Sequence, residues 1–338
     1  MLKISVIIPT RDRARDLENL LMTLLNQDYS NFETIIVDDS PRRIAKEIAE
    51  HYRLKFNARG IDLKYVISKT HEGLPAARNL GIKLANGDIV LFLDDDTLLL
   101  GSDSLRKLAE FYEENPDAIC VQPYIITLGL DTKKSSLIDE LKNAAGKALM
   151  LIYRKDNASS VRRSGMPVLP RRITLDKIRV QRHSGVTSCR KFIYNEVKYD
   201  ENLKLWAYME DLDFSYRVFK RYPSSLYITS RVKILHKKSP TARLPSKTAV
   251  YMMTVYWFYI FFKDIYSSSL LNLTSFLYAL FGKIVATIAE LLVEKRANSD
   301  WLIVVWLLSS YALSLRNLKR IISRDLRFLN KKIADLTR

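Results

Sequence analysis

The strongest constraint on the fold is the alternation of short apolar runs with amphipathic segments over roughly the first hundred residues. Strands are predicted at residues 3–8, 34–37, 62–67 and 89–93, and helices at residues 15–27, 44–52, 75–84 and 104–114. In the first helix, Leu17, Leu20, Leu21 and Leu24 fall on one face at helical spacing. This order is typical of a mostly parallel sheet with right-handed crossovers, so the chain is predicted to have an α/β fold.

Three carboxylates follow the fourth predicted strand directly. Residues 89–93 are continuously apolar, as expected of a strand buried on both faces, and Asp94, Asp95 and Asp96 come next. A solvated acidic turn that caps a helix is one interpretation. The other is a ligand site, because the ends of parallel strands meet at one edge of the sheet, where Asp39 should also lie. That convergence favours a ligand site, and such hard oxygen ligands suit Mg²⁺ or Mn²⁺ shared with phosphates.

Composition narrows the class of protein further. The 338 residues carry a net charge of +17, which indicates an anionic partner such as nucleic acid, a membrane surface or a phosphorylated substrate. Cys120 and Cys189 are the only cysteines, which argues against a disulfide framework and a cysteine zinc site and fits a reducing compartment. Residues 4–8 are too short for the apolar region of a signal peptide and are predicted to form the first strand.

Residues 131–191 lose periodicity and accumulate basic side chains, so a loop-rich insertion is predicted, with one helix near residues 137–152. The basic charge of this insertion fits either a solvated surface or a patch that binds an anionic acceptor or a phospholipid surface. A second acidic cluster, Glu210 with Asp211, opens a predicted helix, where capping of the helix is the structural alternative. Trp206 precedes it, and His236 ends the strand predicted at residues 226–235.

The region after residue 246 differs in character. Residues 250–262, 270–293 and 301–315 are strongly apolar, and residues 316–338 form a basic amphipathic tail. The second run is amphipathic and the third is shorter than the roughly 20 residues that a membrane span needs. Peripheral membrane attachment is therefore favoured over spanning. A helical subdomain packed on the remainder and an oligomer interface are the alternatives.

Five blocks occur in the order and spacing found in family 2 inverting glycosyltransferases, which the chain resembles over residues 1–240. They are Ser5-Val-Ile-Ile-Pro-Thr-Arg-Asp-Arg13, Ile35-Ile-Val-Asp-Asp-Ser40, Gly73-Leu-Pro-Ala-Ala-Arg-Asn79, Phe92-Leu-Asp-Asp-Asp96 and Met209-Glu-Asp-Leu-Asp213. The resemblance implies a GT-A fold, a Rossmann-like nucleotide-binding sheet joined to an acceptor-binding half. The C-terminal region resembles the tails of bacterial and archaeal members that glycosylate lipid-linked or cell-surface glycans.

The resemblance implies a catalytic domain at residues 1–245 and a helical, membrane-associating region at residues 246–338. Residues 1–127 would bind the nucleotide sugar and residues 128–245 the acceptor. In the donor half, Pro9 and Thr10 resemble residues that line the base, and Asp39 resembles one that accepts a hydrogen bond from it.

Arg78 matches a basic residue near the base and phosphates, and Asp95 one near the ribose. Asp94 and Asp96 form the DxD element, in which Asp96 would bind Mn²⁺ or Mg²⁺. His236 is at the position of a further metal ligand in some members, although a histidine at a strand end is often structural.

Asp211 matches the general base, and Glu210 a residue that shapes the donor-sugar or acceptor pocket. Trp206 and Tyr208 would offer a flat surface to an acceptor sugar or lipid, with core packing as the alternative. The block Asp38-Asp39-Ser40-Pro41 departs from the usual Asp-Asp-Gly-Ser or Asp-Asp-Asn-Ser. Both carboxylates are kept, so base recognition is expected to be retained, and the donor pocket beyond this block is expected to differ.

Two other classes compete with this prediction. A sugar-nucleotide pyrophosphorylase would need a glycine-rich loop after the first strand, and residues 9–13 contain no glycine. A nucleic-acid-binding protein would need aromatic residues among its basic ones, whereas here the aromatics cluster in the C-terminal third. The expected partners are a nucleotide-diphosphate sugar, a glycan or lipid-linked acceptor and an anionic membrane, without nucleic acid. The expected location is cytoplasmic, at the inner face of the cell membrane.

Overall fold

A computed structural model describes residues 1–41, 43–68, 73–128, 136–239, 246–293 and 301–337. The chain divides into two compact units. Unit 1 comprises Met1–Lys134, Arg172–Trp206 and Glu210–Arg243, and unit 2 comprises Ser135–Arg171, Ala207–Met209 and Leu244–Arg338.

Unit 1 is a mixed α/β structure. Its strands are β1 (Ile4–Thr10), β2 (Phe32–Asp38), β3 (Asp62–Ile67), β4 (Ile89–Phe92), β5 (Thr97–Leu99), β6 (Cys120–Thr127), β10 (Lys177–Arg179), β11 (Thr187–Arg190) and β12 (Leu226–His236). Its helices are α1 (Ala14–Leu25), α2 (Ala45–Asn57), α3 (Leu74–Leu84), α4 (Ser104–Glu114), α6 (Ile193–Glu196) and α7 (Glu210–Arg221).

The strands form one sheet in the order β10-β12-β6-β11-β4-β1-β2-β3, with β5 paired to β12. The neighbours β3, β2, β1 and β4 are parallel, as the strand–helix alternation predicts. β11 runs antiparallel between β4 and β6, so the sheet is mixed beyond the first four strands. β1 is buried along its whole length because helices cover both faces of the sheet.

Side chains on β1 alternate between two cores. Ile4, Val6 and Ile8 pack in a cluster that includes the apolar faces of α1, α2 and α4. Ile7 packs in a second cluster with residues of α3, α6 and α7, including Phe214. The predicted α/β class is confirmed, and the predicted bounds of β3 and α4 agree with the structure.

The predicted absence of a disulfide is wrong. β11 pairs with β6 in a register that places Cys189 opposite Cys120, and their sulfurs are bonded. Both cysteines are buried in the sheet. The cysteine count could not anticipate this pairing because 69 residues separate the two in the chain. The inference of a reducing compartment from that count therefore loses its support.

Unit 2 is mostly helical. It contains α5 (Leu137–Ala148), a small sheet of β7 (Tyr153–Lys155), β8 (Ser160–Val161) and β9 (Pro167–Pro170), and the C-terminal helices. The latter are α8 (Ser246–Ile260), a π-helical turn (Phe261–Ile265), α9 (Leu270–Val293), α10 (Leu302–Arg316), α11 (Leu318–Ile322) and α12 (Arg327–Thr337). Residues 135–171 thus group with the C-terminal helices, although they precede the domain boundary predicted at residue 245.

The C-terminal helices follow the predicted apolar runs, and α9 has the predicted bounds. Within the described residues, α9 is long and apolar enough to cross a membrane, a test that a core helix of a soluble protein can also pass. The predicted basic tail is two helices, with Arg324 at φ 64° between them. In this tail Ile321 is buried, whereas Ile322 is exposed.

Candidate active site

Asp94, Asp96 and His236 form an acidic cluster at the edge of the sheet. Asp94 and Asp96 follow β4, and His236 ends β12, where it pairs with Thr97 of β5. One ligand atom from each of the three lies within 4.8 Å of the others. Two carboxylates and an imidazole are ligands that Mn²⁺ accepts, so the donor set fits the divalent ion predicted from the sequence.

Asp96 is held as a carboxylate by its neighbours. His236 Nε2 lies 3.1 Å from Asp96 Oδ1, and the backbone N–H of Ser239 donates to Oδ2 over 2.9 Å. Burial opposes ionisation, but the hydrogen bond and charge of His236, followed by the charge of Arg13, lower the pKa of Asp96 to about 2. Asp96 therefore carries its charge throughout the physiological pH range.

Asp95 points into the protein instead. Thr10 Oγ1 donates to Asp95 Oδ2 over 2.9 Å, and Arg13 Nη1 donates to Oδ1 over 3.0 Å. Burial raises its pKa to about 7 despite Arg13, and the neighbouring charge of Asp96 adds to that rise. In this arrangement Asp95 fixes the loop after β1 to the loop after β4.

Asp39 lies at the end of β2, beside the loop that follows β1. Its backbone N–H donates to the carbonyl oxygen of Thr10 over 2.9 Å, and Arg11 Nη1 lies 3.1 Å from Asp39 Oδ2. Pro9 and Thr10 are buried at the end of β1, next to β2. The structure thus brings Pro9, Thr10 and Asp39 together, as the predicted base-binding role requires.

Arg78 on α3 is buried and connects three parts of the site. Its Nη1 donates to both carboxylate oxygens of Glu210 over 2.8 Å. Its Nη2 lies 3.4 Å from Asp94 Oδ1 and donates to the carbonyl oxygen of Gly185 over 3.1 Å. Burial opposes its charge, but the Glu210 carboxylate raises its pKa above the ordinary value. Since protein groups occupy both of its Nη atoms, Arg78 orients the acidic residues Asp94 and Glu210.

Asp211 lies in the first turn of α7, next to Glu210. Its Oδ2 accepts a hydrogen bond of 2.7 Å from Nη2 of the buried Arg182. Its side chain is 23% exposed, whereas that of Glu210 is 6% exposed. Of the two adjacent carboxylates, Asp211 is therefore the one accessible to a reactant, and Glu210 is committed to Arg78.

A close approach of two loops fixes the segment before α7. Gly73 has φ +94°, and a Cβ at that position would lie 2.3 Å from the backbone nitrogen of Leu205. Leu205, Ala207 and Met209 also have positive φ, so alternate residues of this segment are strained. The backbone therefore turns sharply just before Glu210 and Asp211, the first residues of α7.

The guanidinium of Arg13 lies over the Trp206 ring at 5.4 Å from the ring centroid. Arg13 also donates to Asp95, so this one side chain contacts both Trp206 and Asp95. Tyr208, also predicted to contact an acceptor, is half-buried.

Several residues of the site were missed by the sequence reasoning, namely Arg11, Arg13, Arg182, Gly185 and Ser239. A basic pair directly after β1, at the edge that collects ligands, was a signal for Arg11 and Arg13. Arg182 lies in a stretch without periodicity, and nothing in its local sequence separates it from the other basic residues there.

Comparison with solved structures places this fold among the GT-A glycosyltransferases. A crystal structure of Staphylococcus aureus TarS 1-349 in complex with UDP has a TM-score of 0.54 at 18% identity, covering 96% of this chain and 88% of that one. GalNAc-T7 with UDP, GalNAc and Mn²⁺ has a TM-score of 0.55 at 16% identity, covering 77% of this chain and 50% of that one.

Residues 5–173 match the family model for glycosyl transferase family 2. The poly(ribitol-phosphate) β-N-acetylglucosaminyltransferase TarS of S. aureus strain Mu50 is 36% identical over 118 residues. That alignment covers 34% of this chain and 20% of TarS, so the chain spans about a fifth of this relative's length. Fold and site define a glycosyltransferase enzyme of the GT-A class. The chain belongs to glycosyl transferase family 2, as its five sequence blocks predicted. This family membership excludes the two competing predictions, a sugar-nucleotide pyrophosphorylase and a nucleic-acid-binding protein.

Proposed function

We propose that this chain transfers a sugar from a nucleoside diphosphate sugar to a hydroxyl group of a glycan or lipid-linked acceptor, with inversion at the anomeric carbon. The observation that carries the proposal is the cluster of Asp94, Asp96 and His236, a metal-competent set at the edge of a GT-A sheet. The relatedness to TarS, whose structures include UDP and UDP-GlcNAc complexes, supports a nucleotide sugar as donor.

The donor would bind across the ends of β1, β2 and β4. Pro9 and Thr10 would line the base and Asp39 would accept a hydrogen bond from its ring, with Arg11 holding that carboxylate in place. Asp95 would lie near the ribose and would hold the loop through Thr10. Arg78 would hold Asp94 towards the phosphates.

Asp94, Asp96 and His236 would hold a Mn²⁺ or Mg²⁺ ion at the diphosphate. Such an ion supplies electrostatic stabilisation of the negative charge that develops on a leaving diphosphate. Metal binding requires the neutral imidazole of His236, so an ion at this site would replace the contact of His236 with Asp96. GalNAc-T7, a structural neighbour, is described with Mn²⁺, which supports the choice of ion.

Asp211 would act as the general base. Its carboxylate would remove the proton of the acceptor hydroxyl while that oxygen bonds to the anomeric carbon and the bond to the diphosphate breaks, its electron pair leaving with the diphosphate. A positioned base contributes roughly 10²–10⁴-fold. Arg182 would orient this carboxylate, Glu210 would shape the sugar pocket through Arg78, and Trp206 and Tyr208 would contact the acceptor.

Residues 128–245 would bind the acceptor. Residues 246–338 would attach the enzyme, on its cytoplasmic side, to the inner face of the cell membrane. Basic residues near a membrane are attracted by anionic lipids, and the net charge of +17 supports this placement. TarS is by name a poly(ribitol-phosphate) β-N-acetylglucosaminyltransferase, so an anionic glycan acceptor is consistent with the same charge.

The proposal is tested by release of nucleoside diphosphate from a panel of sugar nucleotides, with Mn²⁺, with Mg²⁺ and with chelator. We expect turnover with one or a few donors, lost with chelator and lost in Asp96→Asn. Asp211→Asn should reduce transfer by about 10²-fold or more while donor binding persists. The exposed Asp28→Asn serves as the matched control. Failure of every donor to bind or turn over would refute the proposal.

A further inference from the structure

Unit 2 exposes apolar side chains on three helices of the same compact unit. In α5, Leu137 is 76% and Leu141 61% exposed, and they lie one turn apart. In α9, Leu277 is 53% and Phe281 62% exposed, again one turn apart. Exposed large apolar side chains that recur one turn apart on helices of one unit are not the scattered single residues of an ordinary surface, so they indicate a docking surface.

The three helices are neighbours. The ion pair between Lys142 Nζ and Glu290 Oε1, at 3.3 Å, joins α5 to α9. Gly282 of α9 lies so close to Leu149, just after α5, that a Cβ on it would meet the Leu149 Cβ at 2.8 Å. The Tyr311 hydroxyl of α10 donates to the carbonyl oxygen of Leu280 over 2.9 Å, which joins α10 to α9.

The packed sides of α9 and α10 determine which sides stay exposed. Phe276 of α9 stacks on Phe261 with ring centroids 4.0 Å apart and is buried, as is Leu307 of α10. The opposite side of α9 carries Leu270, Leu271, Leu277, Phe281 and Leu292, all exposed. The charged side chains of α9, Lys283 and Glu290, are only partly exposed and lie off this side. The opposite side of α10 carries Leu302, Val305, Leu308 and Leu315, also exposed.

We propose that an anionic phospholipid membrane docks on this apolar face, which we define as Leu137, Leu141, Leu277, Phe281, Val305 and Leu308. The inference extends the membrane attachment proposed above from the C-terminal region to α5 and assigns the side chains that enter the lipid. It does not depend on which sugar is transferred.

Charge favours lipid over a second copy of the chain. The described part of residues 246–337 carries exposed basic residues at Arg316, Lys319, Arg324 and Lys331, directly after α10 and along the tail. Asp325, one of few described carboxylates there, is paired with Arg320 and Arg327. A symmetric partner would bring like charges together, whereas anionic headgroups complement them. Apolar faces with basic flanks are what interfacial helices present to membranes.

The test is co-sedimentation of the full-length protein with phosphatidylcholine vesicles and with vesicles that also contain phosphatidylglycerol. We expect binding to the anionic vesicles and weaker binding to the neutral ones. Leu277→Gln with Phe281→Gln, and separately Leu137→Gln with Leu141→Gln, should each weaken anionic binding about tenfold or more. Arg316→Gln with Lys319→Gln should weaken binding to the anionic vesicles only.

Leu54→Gln is the matched control, since Leu54 is a 71% exposed leucine on α2 of unit 1, and it should bind as the wild type does. Unchanged binding by both apolar double variants, each shown to be folded by circular dichroism, would overturn the proposal. So would a lipid-free dimer that either double variant dissociates, because a second copy would then occupy the face. Donor turnover, measured without vesicles, reports on the transferase proposal separately.

Discussion

Arg182 and Asp211 form an ion pair in which Arg182 Nη2 lies 2.7 Å from Asp211 Oδ2. The guanidinium also donates to the backbone carbonyl of His183, so Arg182 is held in place at a second point. The side chain of Arg182 is 5% exposed, and it comes from the loop before β11, 29 residues before Asp211 in the chain. The orientation of the proposed base is therefore set by a residue that belongs to another element.

We expect Arg182→Met to lower kcat by about 10- to 100-fold, because a misplaced base loses alignment with the acceptor hydroxyl. The KM for the donor should change little, since Arg182 donates to Asp211, the proposed base, and to the carbonyl oxygen of His183. Steady-state kinetics with the identified donor measures both. Arg182→Lys should recover part of kcat, and an equal loss in both variants would argue for a purely structural role.

The buried pair of Arg78 and Glu210 gives a stability prediction. Glu210→Gln keeps the shape of the side chain but leaves the guanidinium without its main charge partner. Breaking a buried pair in this way costs about 3–5 kcal/mol in free energy of unfolding. Denaturant unfolding of both proteins tests the value. Glu110→Gln is the control because the ion pair of Glu110 with Arg106 is largely exposed, and its loss should cost no more than about 1 kcal/mol.

Gly73 and Gly60 provide a matched pair of glycines. Both have positive φ, but a Cβ on Gly60 would meet nothing within 4 Å, whereas one on Gly73 would collide with the Leu205 backbone. Gly60→Ala should cost about 1–2 kcal/mol from backbone strain alone. Gly73→Ala should cost more and should also reduce donor turnover, because it displaces the segment that leads to Asp211. Equal effects on stability and activity in the two variants would contradict this.

His183 should make stability depend on pH. It is buried, and burial, followed by the charge of Arg182, lowers its pKa to about 3 from an ordinary 6.5. Between these values the unfolded chain binds a proton that the folded protein does not, so stability falls as the pH falls below about 6.5. This residue alone contributes a slope approaching about 1.4 kcal/mol per pH unit.

His183→Asn should therefore flatten the pH profile of unfolding free energy between pH 5 and pH 6.5, although the variant is less stable at pH 7. Denaturant titrations at several pH values test this. His51→Asn, which changes an exposed histidine on α2, should leave the wild-type slope unchanged. An unaltered slope in His183→Asn would show that the ring is already protonated in the folded state.

The elements that sequence patterns predicted best are those whose ends carry local signals. β3 and α4 have the predicted bounds because turn and capping residues flank each of them, and α9 has them because its apolar run is long. The convergence of Asp39 and Asp96 at one edge of the sheet also followed from local patterns, since parallel strands order their ends.

What the sequence could not predict depends on pairing between distant segments. The partnership of Arg182 with Asp211 requires that the loop before β11 lie beside α7, and no periodicity in residues 131–191 indicates that. The register of β11 against β6 is likewise non-local, and the Cys120–Cys189 bond follows from it. The helix predicted near residues 137–152 corresponds to α5. Its exposed leucines indicate a docking surface only because α5 lies next to α9, which the sequence does not show.

That disulfide has a topological consequence. The covalent loop that it closes contains Ser135–Arg171, the first and longer of the two excursions that the chain makes from unit 1 into unit 2 before α7. The polypeptide therefore leaves and re-enters the catalytic sheet between two points that are chemically joined. Unfolding of α5 and its small sheet would therefore leave β6 and β11 tethered to each other at Cys120 and Cys189.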